Sequence, residues 1–188
     1  LQEIRAKKGG FVYEKIDCVV EKGDSTAKLQ LTPPGIADEI REIGRENLSV
    51  GGIPEKDGTY THLLTSRRLN HVYNSSGQQF DEVKKKGTTN HAHMHPDDIL
   101  ALALESGDLV QISGPGGKIT AVTKAEATIQ RGVCSLAHGW GFHPELDSNQ
   151  NVREIGTSSN RIISDEAEYD PISGMARQSA IPVNIIAV

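Results

Sequence analysis

Apolar residues along this chain fall mostly into short alternating runs and only rarely into helical stripes. Residues 109–113 and 118–123 alternate with β-branched side chains around Gly114-Pro115-Gly116-Gly117, a pattern that predicts a hairpin. Just upstream, an extended run stops at His95-Pro96-Asp97-Asp98. Proline suits a first helical position because its missing N–H has no intrahelical partner there, and the aspartates face the positive end of the helix dipole. Ile99, Leu100, Ala103 and Leu104 follow at helical spacing, so the pattern predicts a helix that ends at Gly107. A strand, a short helix and a hairpin thus occupy the 34 residues from Asn90 to Thr123, which reads as one corner of a small β-barrel.

The same pattern predicts strands over residues 60–65, 133–137 and 181–188, and less clearly two strands within 1–32 joined by a turn at 22–25. Ile36, Ile40 and Ile43 make an apolar stripe on a short helix ending near Gly44. Residues 44–59, with Gly51-Gly52, Pro54 and Gly58, read as a connector. They divide an N-terminal segment, 1–58, from the main unit, 59–188. After His138 about 40 residues show little periodicity. Long unpatterned connections inside compact domains are usually functional or disordered. This one returns to a core strand, so the expectation is a segment held in place by what it binds.

Composition narrows the classes. With 4 % aromatic residues and 19 glycines, the 188-residue chain suits a turn-rich barrel better than a helical bundle. A formal net charge of −5 gives no general attraction to nucleic acid or anionic membrane. No apolar run approaches the roughly 20 residues of a membrane span. The start, Leu-Gln-Glu-Ile-Arg, resembles no export signal, which points to the cytoplasm, and it lacks a methionine, as a piece of a longer chain would. Cys18 and Cys134 have no metal-ligand spacing and read as two buried thiols rather than a disulfide.

Three stretches offer chemistry. Thr65-Ser66-Arg67-Arg68 ends an apolar strand with hydroxyls and guanidinium forks, which suit phosphate because arginine can bond two oxygens at once. The bland alternative is a polar turn. The Asn74–Gly77 turn could add a concave set of N–H donors. His91, His93 and His95 would share one strand face, as a metal site requires, but His95 beside Pro96 breaks the register, so incidental surface histidines are the simpler reading. His138-Gly139-Trp140-Gly141 sets an imidazole and an indole among glycines that let backbone approach a ligand, or else an indole that caps the core. Lys84-Lys85-Lys86 reads as a solvated loop. No nucleophile elbow, Walker loop or dinucleotide glycine fingerprint is present, so a self-contained catalyst is not visible.

Taken in order, LLTSRRLNH, NHAHMHPDDILALALESGDLVQISGPGGKITA, RGVCSLAHGWG, SSNRIIS and DPISGMARQSAIPVNI resemble the C-terminal domain of molybdopterin oxidoreductases. This is the dimethyl sulfoxide reductase-like family, which includes formate dehydrogenases and nitrate reductases. The resemblance covers roughly residues 60–188 and implies a mainly β fold with short helices, a six-stranded double-psi β-barrel. It also implies part of a binding site for bis(molybdopterin guanine dinucleotide) with molybdenum or tungsten, loaded only in the full-length enzyme. Residue by residue, it assigns Thr65, Ser66 and Arg67 to the loop near the dinucleotide, and His71, Asn74 and Ser75 to the polar positions after it. Asn90 opens the Asn…His-Pro-x-Asp element, and His138 and Gly139 face the pterin. Asn160 and Gln178 are later polar positions, and Trp140 adds a stacking surface.

Ser66 replaces the family's usual glycine, and Asn160-Arg161-Ile162-Ile163-Ser164 follows its pattern only loosely. The chain has no cysteine cluster for an iron–sulfur centre and no residue expected as a metal ligand. In this family the redox chemistry belongs to the cofactor and the protein positions it. The implied partners are therefore the remaining domains of a parent oxidoreductase and an iron–sulfur electron-transfer subunit. The implied role is one wall of the site, inactive alone. The rival class is a stand-alone double-psi barrel acting as a binding or adaptor module, since fold does not fix function.

Overall fold

The structure is a computed structural model that describes residues 2–7, 9–10, 23, 26, 28, 30–45, 60–141, 149–164, 166 and 169–188. The strands expected around residues 11–29 and most of the 44–59 connector lie outside the described residues, as does Cys18. Two helices precede the barrel: α1 (Gln2–Ala6), which the pattern did not suggest, and α2 (Pro34–Ile43). The second carries the Ile36–Ile40–Ile43 stripe and is capped at Gly44, as expected, with Pro34 at its first position.

Six strands follow: β1 (His62–Arg67), β2 (Ala92–Met94), β3 (Leu109–Gly114), β4 (Gly117–Ala125), β5 (Val133–Ala137) and β6 (Ile181–Ala187). They close into a barrel in the order β1-β5-β2-β4-β3-β6. Parallel pairing joins β1 to β5 and β2 to β4, and every other neighbour is antiparallel. The chain therefore crosses between strands instead of meandering, which is the interleaved winding of the double-psi class. Closure also removes the unpaired edges that invite aggregation.

Inward positions follow the two-residue period of a pleated strand. Leu64, Ala92, Met94, Val110, Ile112, Ala121, Cys134, Leu136, Val183 and Ile185 are buried inside. The Cys134 thiol is free and fully enclosed, and desolvation pushes its pKa up to about 12, so it behaves as a small apolar filler.

Pairing fixes the strand limits more sharply than propensity does. The first strand was expected over 60–65 but begins and ends two residues later, because its register against β5 runs from Leu63–Val133 to Arg67–Ala137. In the hairpin, Gly114 pairs with Gly117, leaving Pro115-Gly116 as a two-residue turn.

The helix after His95 is α4 (Pro96–Ala101), and it stops well before Gly107. His95 caps its start by accepting the Asp97 N–H through Nδ1. At its end the Leu104 N–H bonds the Ile99 carbonyl and the Ala103 N–H bonds the Leu100 carbonyl. This is the two-bond Schellman closure, with Ala103 at φ +57° in the left-handed position usually given to glycine. An alanine there costs about 1 kcal/mol. Ala103→Gly should therefore stabilise the fold by about 0.5–1 kcal/mol, read as a higher urea midpoint at unchanged slope. An unchanged or lower midpoint would mean that the left-handed alanine carries no cost.

Asp98, expected only to face the helix dipole, is buried and ties α4 to β5. Its carboxylate accepts the Gly132 N–H at 2.6 Å and Arg131 Nε at 3.2 Å.

The unpatterned stretch after His138 is also anchored. Residues 149–163 contain α5 (Asn149–Ile155) and a 3-10 turn (Ser159–Ile162) that pack on the barrel, with Val152 and Ile162 buried. A Cβ on Gly116 would fall 2.2 Å from the Ile163 carbonyl oxygen, so the hairpin glycines admit this segment at backbone contact. For residues 149–163 the expectation of a segment ordered by its ligand therefore gives way to one ordered by the barrel itself.

Candidate functional site

With β1 taken as pointing up, β5 and β3 also point up, while β2, β4 and β6 point down. One end of the barrel thus collects the exits of β1 and β5, the entries to β2 and β6, and the β3–β4 turn. The segments singled out in the sequence leave from this end.

Register brings Gln178 there too. The Ser66 N–H approaches the Gln178 carbonyl at 3.4 Å, and Thr65 Oγ1 lies 3.5 Å from Ser179 Oγ. Both contacts sit at the weak limit for hydrogen bonds.

Two loops lock together beside Arg67. Residues 73–76 form a tight turn in which Tyr73 and Ser76 exchange backbone hydrogen bonds and Asn74 takes φ +53°. The turn rests on Gly139, at φ +79°, where a Cβ would meet the Asn74 carbonyl oxygen at 2.4 Å and Ser75 N at 2.9 Å. Gln78 staples the pair, its Nε2 donating to the Asn74 carbonyl at 3.0 Å and the Gly139 carbonyl at 2.8 Å. Asn74 Oδ1 in turn accepts from Arg68 Nη1 at 2.9 Å and lies 3.1 Å from His138 Nε2.

Arg67, Arg68, Asn74 and His138 consequently line one shallow notch. Within it, Arg67 Nη1 and His138 Nδ1 are buried with no hydrogen-bond partner among the described residues. Buried polar nitrogens without partners are uncommon and costly. The Arg67 nitrogen is a donor suited to a ligand's oxygen, whereas His138 Nδ1, whose ring donates through Nε2 to Asn74 Oδ1, is an acceptor suited to a ligand's N–H.

Asn90 sits beneath this assembly at 1 % exposure. Its Nδ2 donates to the Ala137 and Thr157 carbonyls at 2.6 and 2.9 Å, and its Oδ1 accepts the Thr157 N–H at 2.8 Å. The amide is saturated by protein, so its part is to hold the β5 exit and the later segment against β2. Trp140 is buried at 4 % exposure and lines a separate cavity of about 230 Å³ with Gln78, Thr88 and Ile155. Asn160 is exposed on the 3-10 turn beside the hairpin, at the same barrel end, but outside the notch. Of the positions singled out in the sequence, then, Asn74 and His138 meet directly and Arg67 lines the same notch. Ser75 and Gly139 form their support.

A second depression opens on the outer wall below Arg67. It measures about 280 Å³ and is lined by Arg67, His71, Lys86, Asn90, His91, His93, Lys124 and Glu126, among others. Sequence reasoning missed Lys86 and Lys124. Lys86 reads as part of a solvated run; Lys84 and Lys85 do lie exposed beside Asp81 and Glu82 of α3 (Asp81–Lys84). Lys124 faces the wall only because β4 pairs with β2 so that it stands opposite His93. His91 and His93 do share a face, their rings meeting edge-on at 6.3 Å, but no cluster of metal-binding side chains exists among the described residues.

His93 is buried, and desolvation, reinforced by Arg67, Lys124 and His91, lowers its pKa from 6.5 to about 4 against a small opposing pull from Glu126. Above pH 6.5 the ring is neutral in both folded and unfolded chains. As pH falls from 6.5 towards 4 only the unfolded chain takes up the proton, so stability is lost, by on the order of 3 kcal/mol, and the loss levels off below pH 4. Urea unfolding at pH 7 and pH 4.5 should show this decline, and His93→Gln should flatten it. An equal decline in the variant would assign the effect to other groups.

These strand-end groups define a ligand-holding barrel, a scaffold presenting cations and N–H donors. The chain belongs to the family described as the Molydopterin dinucleotide binding domain, whose model matches residues 62–182. It is a molybdopterin dinucleotide-binding domain, the class its sequence resembles. Among solved structures, acetylene hydratase from Pelobacter acetylenicus is similar, with a TM-score of 0.58 and 19 % identity. The match covers 69 % of this chain and 18 % of that one, and it carries the fold alone. None of the curated proteins compared matches the chain. Among the described residues, no helix is long and apolar enough to cross a membrane.

Proposed function

We propose that this chain is one wall of the active site of a molybdenum or tungsten oxidoreductase of the formate dehydrogenase and nitrate reductase type. There it grips part of a bis(molybdopterin guanine dinucleotide) cofactor. The observation that carries this reading is the notch where Arg67, Asn74 and His138 converge, with a guanidinium nitrogen and an imidazole nitrogen left unpartnered. A guanidinium donor beside a ring acceptor fits a ligand that carries both phosphate oxygens and pterin N–H groups.

When bound, the metal–pterin group supplies the redox chemistry. Arg67 offers charge to the dinucleotide, His138 offers a ring nitrogen, and the Asn74–Gly139 contact fixes where both stand. Thr65, Ser66, His71 and Gln178 border the same end, Asn160 stands exposed at that end outside the notch, and Trp140, buried in the separate cavity, supports the 138–141 loop from behind. On this reading residues 1–58 are the tail of a preceding domain, and the rest of the parent enzyme supplies the metal ligand. An iron–sulfur subunit exchanges the electrons, and the assembly works in the cytoplasm.

Chemical-shift mapping tests the placement. Adding the pterin dinucleotide to the chain should move the amides of residues 65–68, 74–75 and 138–139. Shifts confined to the opposite barrel end, around Arg131 and Gly132, would refute it, and no shifts at all would favour the adaptor module.

A further inference from the structure

Gln78 does more than staple two loops. Its Nε2 donates to the carbonyls of Asn74 and Gly139, and because both neighbours are acceptors the nitrogen must stand on that side of the amide. The oxygen Oε1 has no share in those contacts and is buried without a hydrogen-bond partner among the described residues. Trp140 is its complement. The indole Nε1, a donor only, is also buried and without a partner among the described residues. The two side chains are 6 % and 4 % exposed, and both line the cavity of about 230 Å³. That cavity shares no lining residue with the Arg67–His138 notch or with the outer-wall depression.

The rest of its lining presents no free charge or hydroxyl hydrogen. Ile155 is apolar, and the Thr88 hydroxyl already donates to the Arg153 carbonyl at 3.0 Å. Lys84 lies 4.0 Å from Asp81, and Glu154 sets a negative charge against it at the cavity wall. One cation and one carboxylate offset each other, so the cavity favours a neutral occupant.

The occupant must offer an acceptor to Trp140 Nε1 and a donor to Gln78 Oε1 on an otherwise apolar body, since a buried donor or acceptor left unmet is costly. A primary carboxamide carries both groups on one carbon. Size sets the remainder. A dry cavity of about 150 Å³ holds benzene, so this larger one takes a single six-membered ring with its carboxamide. A pterin dinucleotide is far too large for it, and its phosphates would meet no unpaired cation.

We propose that this cavity is a separate binding site for a small neutral aromatic carboxamide. The ligand's carbonyl oxygen accepts from Trp140 Nε1, and its amide nitrogen donates to Gln78 Oε1. The site does not rest on the cofactor reading, and neither falls with the other.

Trp140 is the sole tryptophan of the chain, so its indole N–H gives a single resonance that reports on this site alone. The experiment titrates the full 188-residue chain with benzamide and, separately, with toluene and with benzoate, following heat and that resonance. Benzamide should saturate with a dissociation constant of about 1 mM or below and move the indole N–H downfield. Toluene lacks both polar groups, and benzoate lacks the donor and adds a charge. Each should bind about tenfold more weakly or worse.

Trp140→Phe removes the N–H and keeps a ring. It should weaken benzamide about three- to tenfold and leave toluene unchanged, with the urea midpoint showing whether the variant is folded. Four results overturn the proposal: no saturation by about 10 mM benzamide, saturation with the indole resonance unmoved, toluene or benzoate binding as tightly, or unchanged benzamide affinity in folded Trp140→Phe. Where the variant does not fold, the three-ligand comparison in the wild type decides alone.

Discussion

Asn90→Ala should cost about 3–5 kcal/mol of stability, among the largest losses open to any single polar residue in the barrel. The side chain makes three hydrogen bonds inside a site only 1 % exposed. Removing it strands the Thr157 N–H and the Thr157 and Ala137 carbonyls, each a buried backbone group costing about 1–3 kcal/mol when unmet. Water cannot easily take over, because Gly156 already brings its Cα hydrogens against the amide; a Cβ there would lie 2.3 Å from Asn90 Oδ1.

The charge of the replacement sharpens the test. Asn90→Asp keeps the acceptor for Thr157 N–H but turns a carboxylate oxygen toward two carbonyls. It should be as damaging as alanine at neutral pH and partly recover in acid, where the protonated form can donate one bond. Urea denaturation of both variants decides it, and a loss below about 1 kcal/mol for alanine would show that the clamp is not structural.

Gly139→Ala is the second large effect. The residue sits at φ +79°, and the new methyl would lie 2.4 Å from a backbone oxygen in the neighbouring turn. Left-handed strain of about 1–2 kcal/mol and overpacking of about 1–3 kcal/mol combine to a loss of roughly 2–4 kcal/mol. Gly87→Ala is the control, since Gly87 has φ +145° and nothing within 4 Å, so it reports conformation without contact. Gly139→Ala should also shift the amides of Asn74 and Ser75, because the 73–76 turn must retreat from the 138–141 loop. If it behaves like Gly87→Ala, the two loops do not share a backbone contact and the notch has no fixed floor.

Both effects act through contacts that close only after distant segments meet, and this separates what was legible in the sequence from what was not. Local signals were clear. Alternation located β3, β4, β5 and β6 to within two or three residues, and the Pro96–Asp97–Asp98 start located α4. The end of α4 was misread because its left-handed residue is Ala103, for which glycine is the usual signal, while Gly107 serves the following turn.

The 149–163 segment looked unpatterned because its anchors are sparse. Val152 and Ile162 are buried individually, and the glycines that receive the segment lie more than 30 residues earlier in the hairpin. The candidate site divides the same way. Arg67, Asn74 and His138 are visible as polar residues at strand exits, and only the parallel β1–β5 pairing makes those exits neighbours. Lys124 was invisible because its position depends on the β2–β4 register.

Calorimetric titration of this chain with molybdopterin guanine dinucleotide, wild type against Arg67→Ala, tests the central claim most directly. Weak but saturable binding is expected in the wild type, since the other half of the contacts belongs to partner domains. Loss of the guanidinium should weaken it by about tenfold or more, the worth of a charge-assisted hydrogen bond. Micromolar or tighter binding that Arg67→Ala leaves unchanged would contradict the account.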